Sequence, residues 1–284
     1  MAHIAFIGTG LIGGGLIAAA AERGETLRVF NRTRSKAEAL AGPQVSVSDS
    51  VQAAVDGATR VHVVMSDDSA VDACLEPALE ALRGKLLIDH TTASPAGTAK
   101  RAARLAELGV RYLHAPVFMS PAMCRQAGGM MLAAGPQATF TAAEPALKQM
   151  TGKVLYLGER ADLAAAYKLF GNAMIIGITG ALADVLTMAQ QLGIEPTEAQ
   201  QLFTHFNPVG TLTYRGANMA AGKYDPSFEL TMARKDVRLM QETAGDATLC
   251  VLPGIAERME SLIQAGHGAL DLAALSIEAV PPKA

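Results

Sequence analysis

From its third residue the chain alternates short apolar runs with stretches of helical periodicity. HIAFIG is apolar and stops at a glycine, and LIGGGLIAAAAERG reads as a helix closing on Gly24. TLRVF then reads as a strand and SKAEALAG as a helix. The pairing recurs with RVHVVMS and AVDACLEPALEALRG, then with KLLIDHT and SPAGTAKRAARLAELG, and VRYLHAPV follows as a strand. GGMMLAAG and KVLYLG read as two more strands with AEPALKQM as the helix between them. Strands alternating with helices at this spacing predict a parallel, doubly wound sheet. The strands are apolar throughout rather than at every second residue, as expected where both faces are covered.

After Gly158 the pattern changes. Residues 161–192 are nearly all helix formers and predict one long helix leading out of the sheet domain. Beyond it only helical segments are found: PTEAQQLFTHF, VGTLTYRGANMAAG, SFELTMARKDVRLMQETAG, LPGIAERMESLIQAG and LDLAALSIEAV. The expected architecture is an α/β Rossmann-type domain over residues 1–160 and an all-α domain over residues 161–284. The long helix joins them, without a linker or a break in composition.

With 284 residues, half of them hydrophobic, the chain can bury the cores of two such domains. Its longest apolar stretch, Leu169–Ala183 between Lys168 and Asp184, holds Asn172, Thr179 and three glycines. It falls short of the roughly 18–20 apolar residues of a membrane span and reads as a buried helix. A net charge of −3 leaves no footprint for nucleic acid or an anionic membrane as partner. Cys74, Cys124 and Cys250 are odd in number and widely spaced. They point to a reducing, cytoplasmic setting with neither a disulfide framework nor a metal site. A strand beginning by about residue 3 leaves no room for a signal peptide.

Chemistry enters with IAFIGTGLIGGGLIAAA. Gly8, Gly10 and Gly13 stand in G-x-G-x-x-G spacing between a strand and a helix. In that context Gly8 allows the tight turn, Gly10 lets the backbone approach a pyrophosphate, and Gly13 lets helix and strand pack closely. The N–H groups at the helix start, around Leu11 and Ile12, and the positive end of the dipole then face the phosphates. The second strand ends roughly 20 residues later, where NAD-binding folds carry an acid for the ribose 2′-hydroxyl. Asn31 stands there instead, followed by Arg32, Thr33, Arg34 and Lys36. No carboxylate repels a 2′-phosphate, and Arg32 can pair with one bidentately. Thr33, Arg34 or Lys36 can add donors. The reading is NADP(H) in preference to NAD(H).

Lys168 and Asn172 lie four apart in an otherwise apolar helical segment and so share a face. A lysine there is costly unless it snorkels, pairs or works. Working means giving a proton to an oxygen on which negative charge grows as hydride reaches the carbonyl carbon. Thr92, Met65 and Ser66 follow strand ends, where a Rossmann crevice is lined; Thr92 is a candidate for contact with nicotinamide or substrate, and Met65 and Ser66 for contact with the cofactor. His114, His205 and His267 lack ligand-spaced partners and read as structural, with no metal expected.

With the glycine loop, NRT and the α/β-then-α layout assembled, the sequence resembles the β-hydroxyacid dehydrogenase family over essentially its whole length. That family includes 3-hydroxyisobutyrate dehydrogenase and the tartronate semialdehyde and glyoxylate/succinic semialdehyde reductases. IDHTTASP is similar to its D-x-S-T-x-x-P segment, with Thr92 at the threonine. GERADLAAAYKLFGN is similar to the segment with the catalytic lysine, which places Lys168 and Asn172 in those roles. YDPSFELTMARKDVRLM is similar to the late F…K-D motif, with Phe228, Lys235 and Asp236, and implies that Lys235 lies near the cofactor. GHGALDLAAL is similar to the last patch, with Asp271. The resemblance also implies a homodimer that buries long apolar helices, and an active site in the cleft between the domains.

Two departures stand out. The family's D-A-P-V-S-G-G becomes HAPVFMS, so Phe118 and Met119 replace the Ser and Gly that hold a substrate carboxylate, and Ser120 is the nearest remaining hydroxyl. The family's Asn-Asn pair becomes Gly171–Asn172. Imine reductases share the scaffold, with an apolar loop at this point and a proline where Pro121 stands, but commonly have Asp or Tyr where this chain keeps Lys168. The leading expectation is NADPH-dependent reduction of a small aldehyde or oxo acid with Lys168 as general acid. The alternative is imine reduction in an apolar pocket around Phe118 and Met119. A silent cofactor-binding module would have no need of Lys168, Asn172 and Thr92 together.

Overall fold

A computed structural model describes residues 2–282. Six strands form one parallel sheet: β1 (His3–Ile7), β2 (Leu27–Phe30), β3 (Val45–Val47), β4 (Ala58–Val63), β5 (Leu86–Asp89) and β6 (Arg111–His114). Their order is β3-β2-β1-β4-β5-β6, the doubly wound order of dinucleotide-binding folds. The connecting helices are α1 (Leu11–Glu22), α2 (Arg34–Glu38), α3 (Val51–Val55), α4 (Asp68–Leu75), α5 (Leu79–Leu82) and α6 (Pro95–Glu107). β1 shows why its sequence does not alternate. Ile4 and Phe6 enter one core cluster with Leu16, Ile17 and Ile88, while Ala5 and Ile7 enter the other with Val61, Leu75 and Leu105.

The last strands depart from the predicted single sheet. β7 (Val117–Phe118), β8 (Met130–Ala133) and β9 (Lys153–Tyr156) form a separate three-stranded sheet, with α7 (Pro121–Arg125) and α8 (Gln137–Lys148) between them. β7 and β8 are antiparallel, and β8 and β9 parallel. Residues 119–129, with only the short α7, do not supply the crossover of a dozen or more residues that a parallel return needs. An isolated antiparallel bridge between His114 and Ala134 links the two sheets.

The chain divides into two compact units, and the division falls after Asn172, inside the 30-residue helix α9 (Asp162–Gln191). The second unit continues with α10 (Pro196–His205), α11 (Gly210–Ala221), α12 (Leu230–Ala244) and α13 (Leu252–Leu262), and with a short 3-10 segment, Leu272–Ser276. Its core gathers Tyr224, Leu230, Val237, Met259, Leu262 and Ala273. Asp184 of α9 is buried and accepts N–H bonds from Cys250, Val251 and Leu252, the last two at 3.0 Å, and so holds the start of α13.

α9 corrects the reading of a helix buried within the chain. Phe170, Ile175 and Ile176 are 62%, 56% and 70% exposed. The helix is also long and apolar enough to cross a membrane, with a mean hydropathy of 1.7 over its 18-residue window. Helical periodicity gives a segment's shape, but what covers its apolar faces is decided by tertiary and quaternary packing.

Candidate active site

The loops after the carboxyl ends of parallel strands share one edge of the sheet. Ile7 of β1 leads into the glycine loop, Phe30 of β2 into Asn31–Thr33, Val63 of β4 into Met65 and Ser66, and Asp89 of β5 into Thr92. Most of the residues singled out in the sequence therefore collect on that edge.

Gly8 has φ 104°, and a Cβ there would overlap the Val64 carbonyl oxygen; one at Gly13 would overlap the Gly8 carbonyl. These glycines let α1 start hard against the sheet. A Cβ at Gly10 would meet nothing within 4 Å. α1 has no side-chain cap and no acid in its first turn, which leaves the first N–H groups to a ligand. Thr9 is 7% exposed, and its hydroxyl has no partner.

Asn31 does more than remove a negative charge. Its Oδ1 accepts the Thr9 N–H at 3.1 Å and its Nδ2 donates to the Thr33 carbonyl at 2.9 Å, which ties the glycine loop to the basic turn. A carboxylate could not donate the second bond. Arg34 is bound to Glu38 at 2.7 Å and to Asp49. Arg32 and Lys36 are exposed and have no carboxylate partner among the described residues. A cavity of about 630 Å³ opens beside Thr9, Gly10, Leu11 and Lys36. An uncapped helix start, an orphaned hydroxyl, open space at Gly10 and free cations fit the phosphates of a dinucleotide. Arg125 of α7 also lines this cavity. It was missed in the sequence because no motif marks it; packing alone puts it there.

Thr91, one residue before the exposed Thr92, is buried. Its hydroxyl accepts the Met65 N–H at 3.0 Å, and its own N–H donates to Asp89 Oδ1 at 2.9 Å. Ser94 caps α6 by accepting the Gly97 N–H at 3.0 Å, so Thr92 is not used as a cap. Ser66 donates to Asp67 at 2.8 Å.

Lys168 is 8% exposed, and its Nζ lies 3.9 Å from the centroid of the Phe118 ring. Burial pushes its pKa below that of free lysine. It has no carboxylate partner among the described residues; the ring face carries the cation. Asn172 follows one turn on and is half-buried. A Cβ at Gly171 would overlap the Phe118 ring. The two departures from the family pattern are therefore one exchange, in which the ring takes the space that a side chain at position 171 would need. Ser120 accepts the Met123 N–H at 3.2 Å and caps α7, and Met119 packs against the first core cluster.

Lys235 belongs to the second unit, where it is exposed on α12 and pairs with Asp236 at 2.9 Å. Asp271, in the same unit, accepts from Arg215 at 2.9 Å and from the Ser227 and Phe228 N–H groups at 3.0 Å. It holds the turn before α12.

Two buried histidines under the strand ends also escaped the sequence reading. His90 Nδ1 donates to the Ala115 carbonyl at 2.7 Å, because a carbonyl can only accept. His90 Nε2 therefore accepts from His62 Nδ1 at 2.9 Å, and His62 Nε2 accepts from Arg60 Nε at 3.1 Å. Each ring is fixed in one neutral tautomer.

Residues 3–158 match the family model described as the NAD binding domain of 6-phosphogluconate dehydrogenase. Residues 163–277 match that described as NAD-binding of NADP-dependent 3-hydroxyisobutyrate dehydrogenase. An uncharacterised oxidoreductase, YfjR, of Bacillus subtilis (strain 168) is 29% identical, over 96% of this chain and 98% of that one. Glyoxylate/succinic semialdehyde reductase 1 of Arabidopsis thaliana is 27% identical over 98% of each. In fold, the chain is similar to an imine reductase from Myxococcus stipitatus solved with NADP+. The TM-score is 0.89 at 24% identity, covering 96% of this chain and 98% of that one.

Proposed function

Since the chain belongs to the 3-hydroxyisobutyrate dehydrogenase family of NAD(P)-dependent oxidoreductases, we propose that it is an NADPH-dependent reductase of a small aldehyde or oxo acid, with Lys168 as general acid. The observation that carries this is Lys168 itself, a buried ammonium with a lowered pKa and no carboxylate partner among the described residues. A cation held in this way is available for an oxygen that becomes negative.

The cofactor supplies the hydride equivalent that the carbonyl carbon receives. The chain's own residues do the rest. The α1 N–H groups and the Thr9 hydroxyl receive the pyrophosphate, and Arg32, Thr33 and Lys36 receive the 2′-phosphate. Asn31 holds that turn against the glycine loop. Met65, Ser66 and Thr92, at the strand ends, would complete the contacts with the nicotinamide and its ribose. Lys168 Nζ gives one proton to the carbonyl oxygen as the carbon is reduced, leaving a neutral amine and an alcohol. Asn172 orients that oxygen, and the Phe118 ring keeps water from the ammonium. In the oxidative direction the neutral amine takes the proton back.

A second reading is reduction of imines. It is favoured by the Phe118 ring, which lies where the family has a carboxylate-binding serine, beside Met119. We also read the exposed apolar face of α9 as the seam of a homodimer, and the three free cysteines as fitting the cytoplasm.

The experiment is NADPH oxidation against a panel of small semialdehydes, oxo acids and cyclic imines, wild type beside Lys168→Ala. The expected result is turnover of a carbonyl substrate that drops about 10²-fold or more in the variant while NADPH still binds. Turnover of imines alone would select the second reading, and a fully active variant would refute the role of Lys168.

A further inference from the structure

The cavity beside the glycine loop is lined by Lys36 of α2, by Pro121 and Arg125 of α7, and by Gly10. Its lining holds two cations and no carboxylate. Arg34, two residues from Lys36, is occupied by Glu38 and Asp49, whereas neither Lys36 nor Arg125 has a carboxylate partner among the described residues. Thr9 also lines the cavity, and its buried hydroxyl is an unmatched polar group. Two unmatched cations facing one space with an orphaned hydroxyl call for an anion.

The position of Arg125 is built into α1. GGG in the sequence runs two glycines past the one that ends the dinucleotide fingerprint, and the second of these, Gly15, has its own use. A Cβ at Gly15 would sit 2.8 Å from Cys124 Cβ and 3.0 Å from the Pro121 carbonyl oxygen. With hydrogen there, α7 lies directly on α1, Cys124 is buried, and Arg125 is left on the wall of the cavity. Ser120 fixes the start of the same short helix.

We propose that Arg125 is a further cofactor-binding residue, whose guanidinium grips a phosphate of the dinucleotide in the cavity that Lys36 also lines. The proposal rests on the NADP(H) reading above. Arginine suits the task because its planar fork meets two phosphate oxygens at once. Two phosphates share this chemistry, the 2′-phosphate read by the basic turn and the pyrophosphate at the start of α1, and the test separates them.

The test is the dissociation constant of NADPH and of NADH for wild type, Arg125→Gln and Arg125→Lys, read from nicotinamide fluorescence without substrate. Arg125 is exposed, so the variants should fold, and thermal melting checks this. The expected result is a loss of NADPH affinity of about tenfold or more in Arg125→Gln, partly restored in Arg125→Lys. A loss confined to NADPH assigns the contact to the 2′-phosphate; an equal loss for NADH assigns it to the pyrophosphate. Unchanged constants for both cofactors in Arg125→Gln would overturn the proposal and leave the reductase reading intact. A wild type that binds neither cofactor would overturn both.

Discussion

At the scale of single residues, His62 and His90 carry a consequence for acid stability. Burial is the main cause that pushes both below the ordinary histidine value, His90 to about 4, with neighbouring positive groups adding to the shift at His62. In the unfolded chain both titrate near 6.5. Between those values the unfolded state binds protons that the folded state refuses, so stability is full above about pH 6.5 and declines as pH falls toward 4. His90 alone accounts for about 3 kcal/mol across that window. Urea midpoints at pH 7 and pH 5 should therefore separate more for wild type than for a His62→Gln/His90→Gln variant, and an equal decline in both would clear the histidines. The sequence concealed this pair because burial of a polar residue has no period. It follows from β4 pairing with β5 in register, His62 opposite Ile88. The glycine loop and Asn31 were legible because their geometry is local, set by a strand end and a helix start a few residues apart.

At the scale of elements, β7 and the first turns of α9 are fitted to each other through Phe118, Lys168 and Gly171. Gly171→Ala should collide with the ring and destabilise the fold by about 1–3 kcal/mol. Shortening the ring in Phe118→Leu/Gly171→Ala should recover most of that loss, a coupling measurable by a double-mutant cycle in denaturant. Additive losses would deny the fit. The two departures could be read in the sequence as departures, but not as a pair, because 53 positions separate 118 from 171. The same limit hid Asp184. It stands in the long apolar helix α9, and its partners lie more than sixty residues on, where three backbone N–H groups hold it ionised against the cost of burial.

At the scale of the molecule, the alternation of strands with helices and the change from α/β to all-α were both legible, because period and spacing report them directly. The separate sheet of β7, β8 and β9 was not, since short apolar strands carry no mark of parallel or antiparallel pairing. Nor was the exposure of α9. A helix that leaves Phe170, Ile175 and Ile176 uncovered presents an apolar surface of the kind that a partner covers. With a second copy covering it, sedimentation should return about twice 29.5 kDa. Ile176→Glu should shift the mass toward the single chain. A wild type that sediments as one chain would refute the dimer.

The fit between Phe118 and Gly171 also bears on descent. From an ancestor with the serine and asparagine of the resembling family, a ring arriving first would have to give up its present seat, because a side chain at 171 overlaps it. Loss of that side chain has to precede or accompany the ring's taking that seat. Once the ring is seated, a side chain returning at 171 displaces it unless 118 reverts. Lineages that share this chain's glycine while keeping the older serine would be the intermediates of a history in which the loss came first.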